Sequence, residues 1–289
     1  MKQQIYWDKK QIAQNYDFGR PLSNRSILEL FATISAKLSI SLNNKKMLDA
    51  GCGTGRVTIS LAQSCPSLSI IGIDISPEML AFAQQKIKQS HLKNYQLIKA
   101  DLQHIPLDDN TVDFSLISSV LHVIPGWTQI IDELIRVTST SGYLLLISEQ
   151  ADIYEIEQDR TKSQDRNLLE KFWGQFQKLK LEYGLSIPQK IQVGIRWQLG
   201  CPEIIDYLQK TGYQNINTIT IPWQHKYTVA DFMNILYKKC WSALFTSDPI
   251  KYDQVLKKME QWLKQEKISR DEEYISDNKI CCEIVKLSP

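Results

Sequence analysis

The 289-residue chain, 43% apolar and 23% charged, is long enough for one large domain or a core with an appendage, and its composition is that of a globular protein rather than a disordered, collagenous or membrane one. Its 34 Lys+Arg against 32 Asp+Glu leave a formal charge of +2, too little for a global positive field, which argues against nucleic acid and an anionic bilayer as partners. Apolar runs such as Tyr143–Ile147 fall far short of the roughly 18 residues of a membrane span, Met1–Asp8 has no apolar leader segment, and the six cysteines include no C-x-x-C pair, so the sequence predicts a cytoplasmic protein with reduced thiols and no bound metal.

In chain order, residues 8–40 read as one or two helices interrupted at Gly19-Arg20-Pro21, with Ile27, Leu30, Phe31, Ile34 and Leu38 at helical spacing after the break. From 46 to 148 short apolar runs alternate with amphipathic ones. These are a strand at Met47-Leu48, a helix over 56–63, a strand over 70–73, a helix over 77–89, strands over 95–98 and 112–117, a helix over 127–138 and a strand over 143–148. That alternation specifies βαβ units and an α/β, doubly wound, mostly parallel sheet. The rhythm then breaks. Residues 163–183 form an amphipathic helix that stops at Gly184, and Pro202 opens a helix that ends at Gly212 and leads into a strand over 216–221. Thr228-Val229-Ala230-Asp231 is a capping box opening a helix over 228–242, Asp248-Pro249 opens another through Leu263, and Lys279–Lys286 closes as a strand. The expected organisation is a helical cap (1–45), a Rossmann-like core (46–149), a helical lid insertion (150–200), core continued (201–222), a second helical lid insertion (223–269) and a closing strand (270–289).

The strongest local signal is Leu48-Asp49-Ala50-Gly51-Cys52-Gly53-Thr54-Gly55-Arg56, at the junction of the first core strand and its helix. Its glycines permit a tight turn and close backbone approach to a ligand. An acid beside the turn repels a pyrophosphate but suits an amino-acid ammonium. Asp74 ends the second strand 23 residues after Gly51, near the separation at which an acid accepts both hydroxyls of a ribose. Asp101 follows the third strand, where a short acid can accept from an exocyclic adenine amine, while Ile75 and Leu102 can sandwich the ring. Ser118-Ser119-Val120-Leu121-His122 ends the fourth strand, at the crevice beyond the carboxyl ends of the strands. A nicotinamide site and a bare strand–helix turn are the other readings of the glycines. Asp74 also reads as an acid ahead of the Ser76-Pro77 helix start, and Arg20 as a solvated charge.

Together these stretches resemble the class I S-adenosylmethionine-dependent methyltransferases, specifically the small-molecule group with an N-terminal helical cap and an insertion before the final strands. The similarity covers residues 12–149, through Leu48–Gly55, Asp74, Asp101, Ile131–Val137 and Ser141–Leu146, and is thin beyond 150. The resemblance implies a seven-stranded sheet, S-adenosylmethionine as cofactor and S-adenosylhomocysteine as product. It also implies that Gly51, Cys52 and Gly53 line the methionine part, that Asp49 orders the amino group and that Asp74 takes the ribose diol. Ile75, Asp101 and Leu102 would take adenine, with Ser118 beside the methyl donor. Tyr16-Asp17-Phe18-Gly19-Arg20-Pro21 is similar to the group's Tyr-Asp-x-x-Arg-Pro segment, which assigns Arg20 to the cofactor carboxylate. Ser139-Thr140-Ser141-Gly142 departs from the Lys-Pro-Gly-Gly turn of many relatives.

Ser118-Ser119-Val120-Leu121 lacks the Asn/Asp-Pro-Pro-Tyr associated with methylation of exocyclic and amide nitrogens, and no Pro-Cys nucleophile stands there. Both insertions carry aromatics, Trp173, Trp197, Trp223, Tyr227, Trp241 and Phe245, mostly for packing between lid helices. The expectation is a closed, water-poor pocket for a small, largely apolar acceptor, with O-methylation of a hydroxyl or carboxylate ahead of N- or C-methylation. A cofactor-binding protein without turnover is the alternative. His122 is the candidate catalytic residue, read as a base, a hydrogen-bond donor to substrate or pocket wall. Cys201-Pro202 reads as a helix start rather than a nucleophile.

Overall fold

The N-terminal stretch is two helices, α1 (Lys10–Gly19) and α2 (Asn24–Leu38), because Ser23 adopts an extended backbone and its hydroxyl accepts from Ser26 N, capping a new helix soon after the old one ends. The computed structural model describes residues 10–151, 167–185, 201–213, 216–241, 244 and 248–287.

Seven strands follow: β1 (Lys46–Ala50), β2 (Ser69–Asp74), β3 (Tyr95–Lys99), β4 (Val112–Ser118), β5 (Thr138–Ala151), β6 (Ile216–Thr228) and β7 (Glu273–Lys286). They form one sheet in the order β3-β2-β1-β4-β5-β7-β6, parallel except that β7 runs antiparallel to both its neighbours. Strand order reverses between β1 and β4, the switch point at which doubly wound sheets bind ligands. Crossovers are made by α3 (Ile59–Ser64), α4 (Pro77–Gln89) and α5 (Trp127–Val137). One sheet face packs Met47, Phe114, Ile219 and Ile280 on Leu30, Phe31 and Ile34 of α2. The other packs Leu48, Leu146 and Val285 on Ile131 and Leu134 of α5 and on Ile204 of α7 (Pro202–Lys210). Both faces are therefore dry, which is why β1 and β4 read as apolar runs without alternation.

The helix expected over 56–63 begins only at Ile59. Gly51, Gly53 and Gly55 hold positive φ, and the chain stays in turns until Thr58. The stretch Ser139–Gly142, expected as a turn, lies inside β5, where the pairing to β4 shifts register between Val112 and Phe114. The last two strands are longer than their expected spans. Trp223, His225 and Tyr227 alternate with exposed Pro222, Gln224 and Lys226, so β6 continues to Thr228 against a β7 that starts at Glu273. Pro222 does not interrupt β6 because an edge strand needs no outward N–H donor. Residues 223–228, expected within the second helical insertion, are thus a strand arm.

On these arms, beyond the carboxyl end of β4, sits a second apolar cluster. It is built by α6 (Asn167–Glu182), α8 (Val229–Lys238) and α9 (Pro249–Gln265), with Phe172, Trp173, Phe176, Phe232 and Tyr252 packed against Ala151, Tyr227 and Tyr274. The capping box at Thr228 and Asp231 is formed. Trp197, Phe245 and the start of the helix expected over 163–183 lie outside the described residues. No described helix is long and apolar enough to cross a membrane.

Candidate active site

At the end of β1 the amides of Gly51 and Cys52 both donate to Ile73 O, at 2.8 and 3.0 Å, and Gly55 N donates to Cys52 O at 2.8 Å. The turn is closed by its own backbone. Gly53, at φ +53°, faces open space: a Cβ placed on it would meet nothing within 4 Å. Gly51 instead lies against Val120, whose Cγ2 would be 2.3 Å from an added Cβ. Cys52, expected to line the cofactor, lies within this turn. Its thiol points beneath the turn, against Gly72, and burial pushes it well above the ordinary thiol range.

The acids differ in kind. Asp49 is buried at the end of β1, where Oδ2 accepts from Thr58 Oγ1 at 2.5 Å and from Tyr95 Oη at 3.3 Å. Burial, opposed by those hydroxyls, raises its pKa to about 6. Asp74 holds the turn: Oδ2 accepts from Gly53 N and Oδ1 from Ser76 N, each at 2.8 Å. A carboxylate has roughly four lone-pair sites, so it can serve more partners than these two amides. Asp101 is exposed, with Oδ1 accepting from Gln103 N at 3.0 Å. Ile75 is 39% exposed beside it, whereas Leu102 is 4% exposed and belongs to the core. The expected sandwich is therefore one-sided in its freedom: Ile75 offers a face and Leu102 only a floor.

The N-terminal segment reaches the same crest. Asp17 accepts from Thr54 Oγ1 at 2.5 Å and from Lys86 Nζ at 2.6 Å, fastening α1 to the glycine turn and to α4. Two residues on, the Gly19 carbonyl accepts from Trp241 Nε1 at 2.6 Å, and a Cβ on Gly19 would stand 2.1 Å from Cys240 Cβ. Arg20 follows, its guanidinium 5.9 Å from the Tyr16 ring and its carbonyl accepting from Arg56 Nη1 at 3.2 Å. Arg56 is itself clamped in two-pronged fashion by Glu149 at the end of β5.

Beyond β4, Ser118 Oγ is buried and makes no hydrogen bond, and Ser119 takes a left-handed φ of 56°. His122 sits in a short 3-10 turn, Leu121–Val123, where burial, with the nearby Arg20 cation, lowers its pKa to about 4. In the second apolar cluster the Trp173 and Trp241 rings lie 5.0 Å apart, and Trp173 Nε1 is buried without a hydrogen bond. Cys201 caps α7 at the opposite sheet face, and burial pushes its thiol up to about 12, so it is a helix start. Among the described residues no group of three or more His, Cys, Asp or Glu can hold a metal ion.

The structure thus brings Asp49, Gly53, Asp74, Ile75, Asp101, Ser118, Arg20 and His122 to one crest. Gly53 is open, the Ser118 hydroxyl is buried without a partner and Ile75 presents an exposed apolar side chain. Sequence reasoning missed Thr58, Tyr95, Asp17, Arg56 and Glu149. For the last two a signal existed: Arg56 abuts the third glycine, and Glu149 is the first charge after the apolar run of β5.

A methyltransferase-domain family profile matches residues 41–262. The chain is similar to a demethylmenaquinone methyltransferase of Geobacillus sp. (strain WCH70), 36% identical over 104 residues, 36% of this chain and 44% of that one. A demethylmenaquinone methyltransferase of Geobacillus stearothermophilus is 32% identical over 133 residues, 45% of this chain and 56% of that one. The chain thus spans about half the length of these curated relatives. Its fold is similar to that of the YcgJ protein of Bacillus subtilis (TM-score 0.54, 13% identity, 92% and 100% of the two chains). It is also similar to that of a Haemonchus contortus phosphoethanolamine N-methyltransferase 2 (TM-score 0.53, 16% identity, 99% and 59%), whose structure contains S-adenosylhomocysteine and phosphomonomethylethanolamine.

Proposed function

This chain belongs to the methyltransferase-domain family, class I and S-adenosylmethionine-dependent, and on that premise we propose that it transfers the S-methyl group of this cofactor to a small, largely apolar acceptor held between the sheet crest and the aromatic lid. The observation that carries the reading is the placement of the open Gly53 turn after β1 and of the buried Ser118 hydroxyl at the end of β4, the two adjacent strands at which the sheet order reverses. When bound, the cofactor supplies an electrophilic methyl on a good leaving group.

The residues of the chain have distinct work in this reading. Asp74 keeps its backbone bonds to the turn and accepts from the ribose diol. Ile75 and Asp101 take the adenine, Leu102 floors it, and the turn of Gly51, Cys52 and Gly53 shapes the methionine part. Asp49 gives the ammonium a buried counter-charge, and Arg20 takes the carboxylate. The α6 helix and the α8–α9 pair act as a lid that excludes water and aligns the acceptor.

His122, with a pKa near 4, is a neutral imidazole at neutral pH and a weak proton acceptor. It therefore serves as an acceptor contact rather than a base. Such a site suits an acceptor that needs little help to lose a proton: a carboxylate, an acidic hydroxyl, or a ring carbon made nucleophilic by one. The name shared by the relatives, demethylmenaquinone methyltransferase, supports the ring-carbon case. The test is incubation with methyl-labelled S-adenosylmethionine and separate pools of naphthoquinols, phenols and apolar carboxylic acids, with mass spectrometry of the products. Label in none, from a chain that binds the cofactor, removes the acceptor class. Stabilisation by NAD and not by S-adenosylhomocysteine removes the reading itself.

A further inference from the structure

Arg56 stands where three separate parts of the chain meet. It follows the glycine turn, its two terminal nitrogens are held by the two oxygens of Glu149 at the end of β5, and the same Nη1 reaches Arg20 O at 3.2 Å. Its guanidinium lies 6.0 Å from the Tyr16 ring, whose other neighbour is the Arg20 guanidinium at 5.9 Å. The side chains of Arg56 and Glu149 are only 9% and 11% exposed. A pair taken this far out of water gives back much of its Coulomb gain as lost hydration, so it is poor evidence of a purely stabilising role. What it does supply is geometry. The planar, forked guanidinium pinned by a carboxylate has one orientation, and its Nη1 also donates to the Arg20 carbonyl.

Resting on the cofactor reading above, we propose that Arg56, oriented by Glu149, is a positioning residue that sets the Arg20 end of the N-terminal segment over the cofactor cradle, and that cofactor affinity depends on this pair through Arg20 rather than through contact. The pair then couples three things that the sequence keeps far apart: the turn that cradles the ligand, the last parallel strand, and the strap that carries Arg20 and Tyr16. Lysine does not replace Arg56 in this role, since a single ammonium cannot hold both Glu149 oxygens and a carbonyl in a fixed plane.

The test is a double-mutant cycle on S-adenosylhomocysteine affinity, measured by calorimetry with the full chain, using Glu149→Gln, Arg20→Ala and the two together. Glu149→Gln preserves shape and removes the clamp. It is expected to weaken binding by about fivefold to tenfold, as site-to-site couplings of modest size do, and to lose most of that effect when Arg20 is already alanine. Arg56→Lys is expected to match Glu149→Gln, with the loss in KM for the cofactor rather than in kcat. A readout free of cofactor accompanies these: amide exchange of the peptide spanning residues 16–23 should quicken in Glu149→Gln without ligand, because the Arg20 amide bonded to Tyr16 O opens more often. Additive effects in the cycle, or unchanged exchange, overturn the positioning role while leaving the cofactor reading intact. A wild-type chain that binds no S-adenosylhomocysteine overturns both.

Discussion

Thr58, the residue from which α3 starts, gives its hydroxyl to Asp49 and not to the helix it opens. A threonine at a helix start ordinarily caps the first turn. Here the cap is forgone, and the hydroxyl instead meets a buried acid whose other donor is Tyr95.

The pH dependence of stability follows from that acid and from His122. The Asp49 pKa rises from 3.8 to about 6, so the folded state binds more protons than the unfolded one between those values, and stability falls as pH rises through them. The His122 pKa falls from 6.5 to about 4, so the unfolded state binds more protons, and stability rises with pH over nearly the same window. Each is worth up to about 3 kcal/mol by the usual conversion, and they oppose. Urea unfolding between pH 4 and 6.5 should therefore show, relative to the wild-type chain, stability rising more steeply with pH in Asp49→Asn and less steeply in His122→Asn. Parallel curves for the two variants would contradict the burial of either group.

Asp74→Asn keeps one acceptor oxygen for two backbone amides and has no charge for a diol. Cofactor affinity should drop by about tenfold or more, given roughly 1.5–3 kcal/mol for each charge-assisted hydrogen bond. The midpoint of thermal unfolding should fall as well, because Gly53 N or Ser76 N loses its partner. Full affinity in calorimetry would take Asp74 out of the site.

Gly19→Ala sets a methyl where Cys240 Cβ already stands 2.1 Å away. Overpacking of this kind costs about 1–3 kcal/mol, and Cys240→Gly in the same chain should recover most of it. Failure of the second substitution to rescue the first would mean that the close approach is not what fixes this glycine.

His122→Ala should lower turnover by less than about 100-fold, the lower bound of general-base contributions, and act mainly on acceptor KM. The wild-type pH–rate profile should lack a limb near 6.5. A limb there that vanishes in the variant would make His122 a base and the acceptor a neutral hydroxyl.

The sheet and the glycine turn were legible because each has a local cause: apolar runs buried on both faces, and glycines where φ turns positive. Pro222 concealed the length of β6, since a proline counts against a strand until its edge position is known. Asp74 was legible by spacing, but its bonds to Gly53 and Ser76 depend on how a turn folds back over a neighbouring strand. Cys52 was legible as part of the glycine turn, but sequence gives no facing for the thiol of a residue inside a turn. Glu149 and Arg56 are 93 residues apart, and nothing in either neighbourhood names the other.

The bond from the Trp241 indole to the Gly19 carbonyl spans 222 residues of chain. The strap that bears Arg20 emerges from the ribosome long before the residue that holds its last turn. The glycine turn and its flanking strands can pair early, from contacts close in sequence, whereas this closure waits on a long loop and folds late. A nascent chain therefore owns the cradle well before it owns the fastened strap, and completion of the site reports that the lid itself has been made and docked.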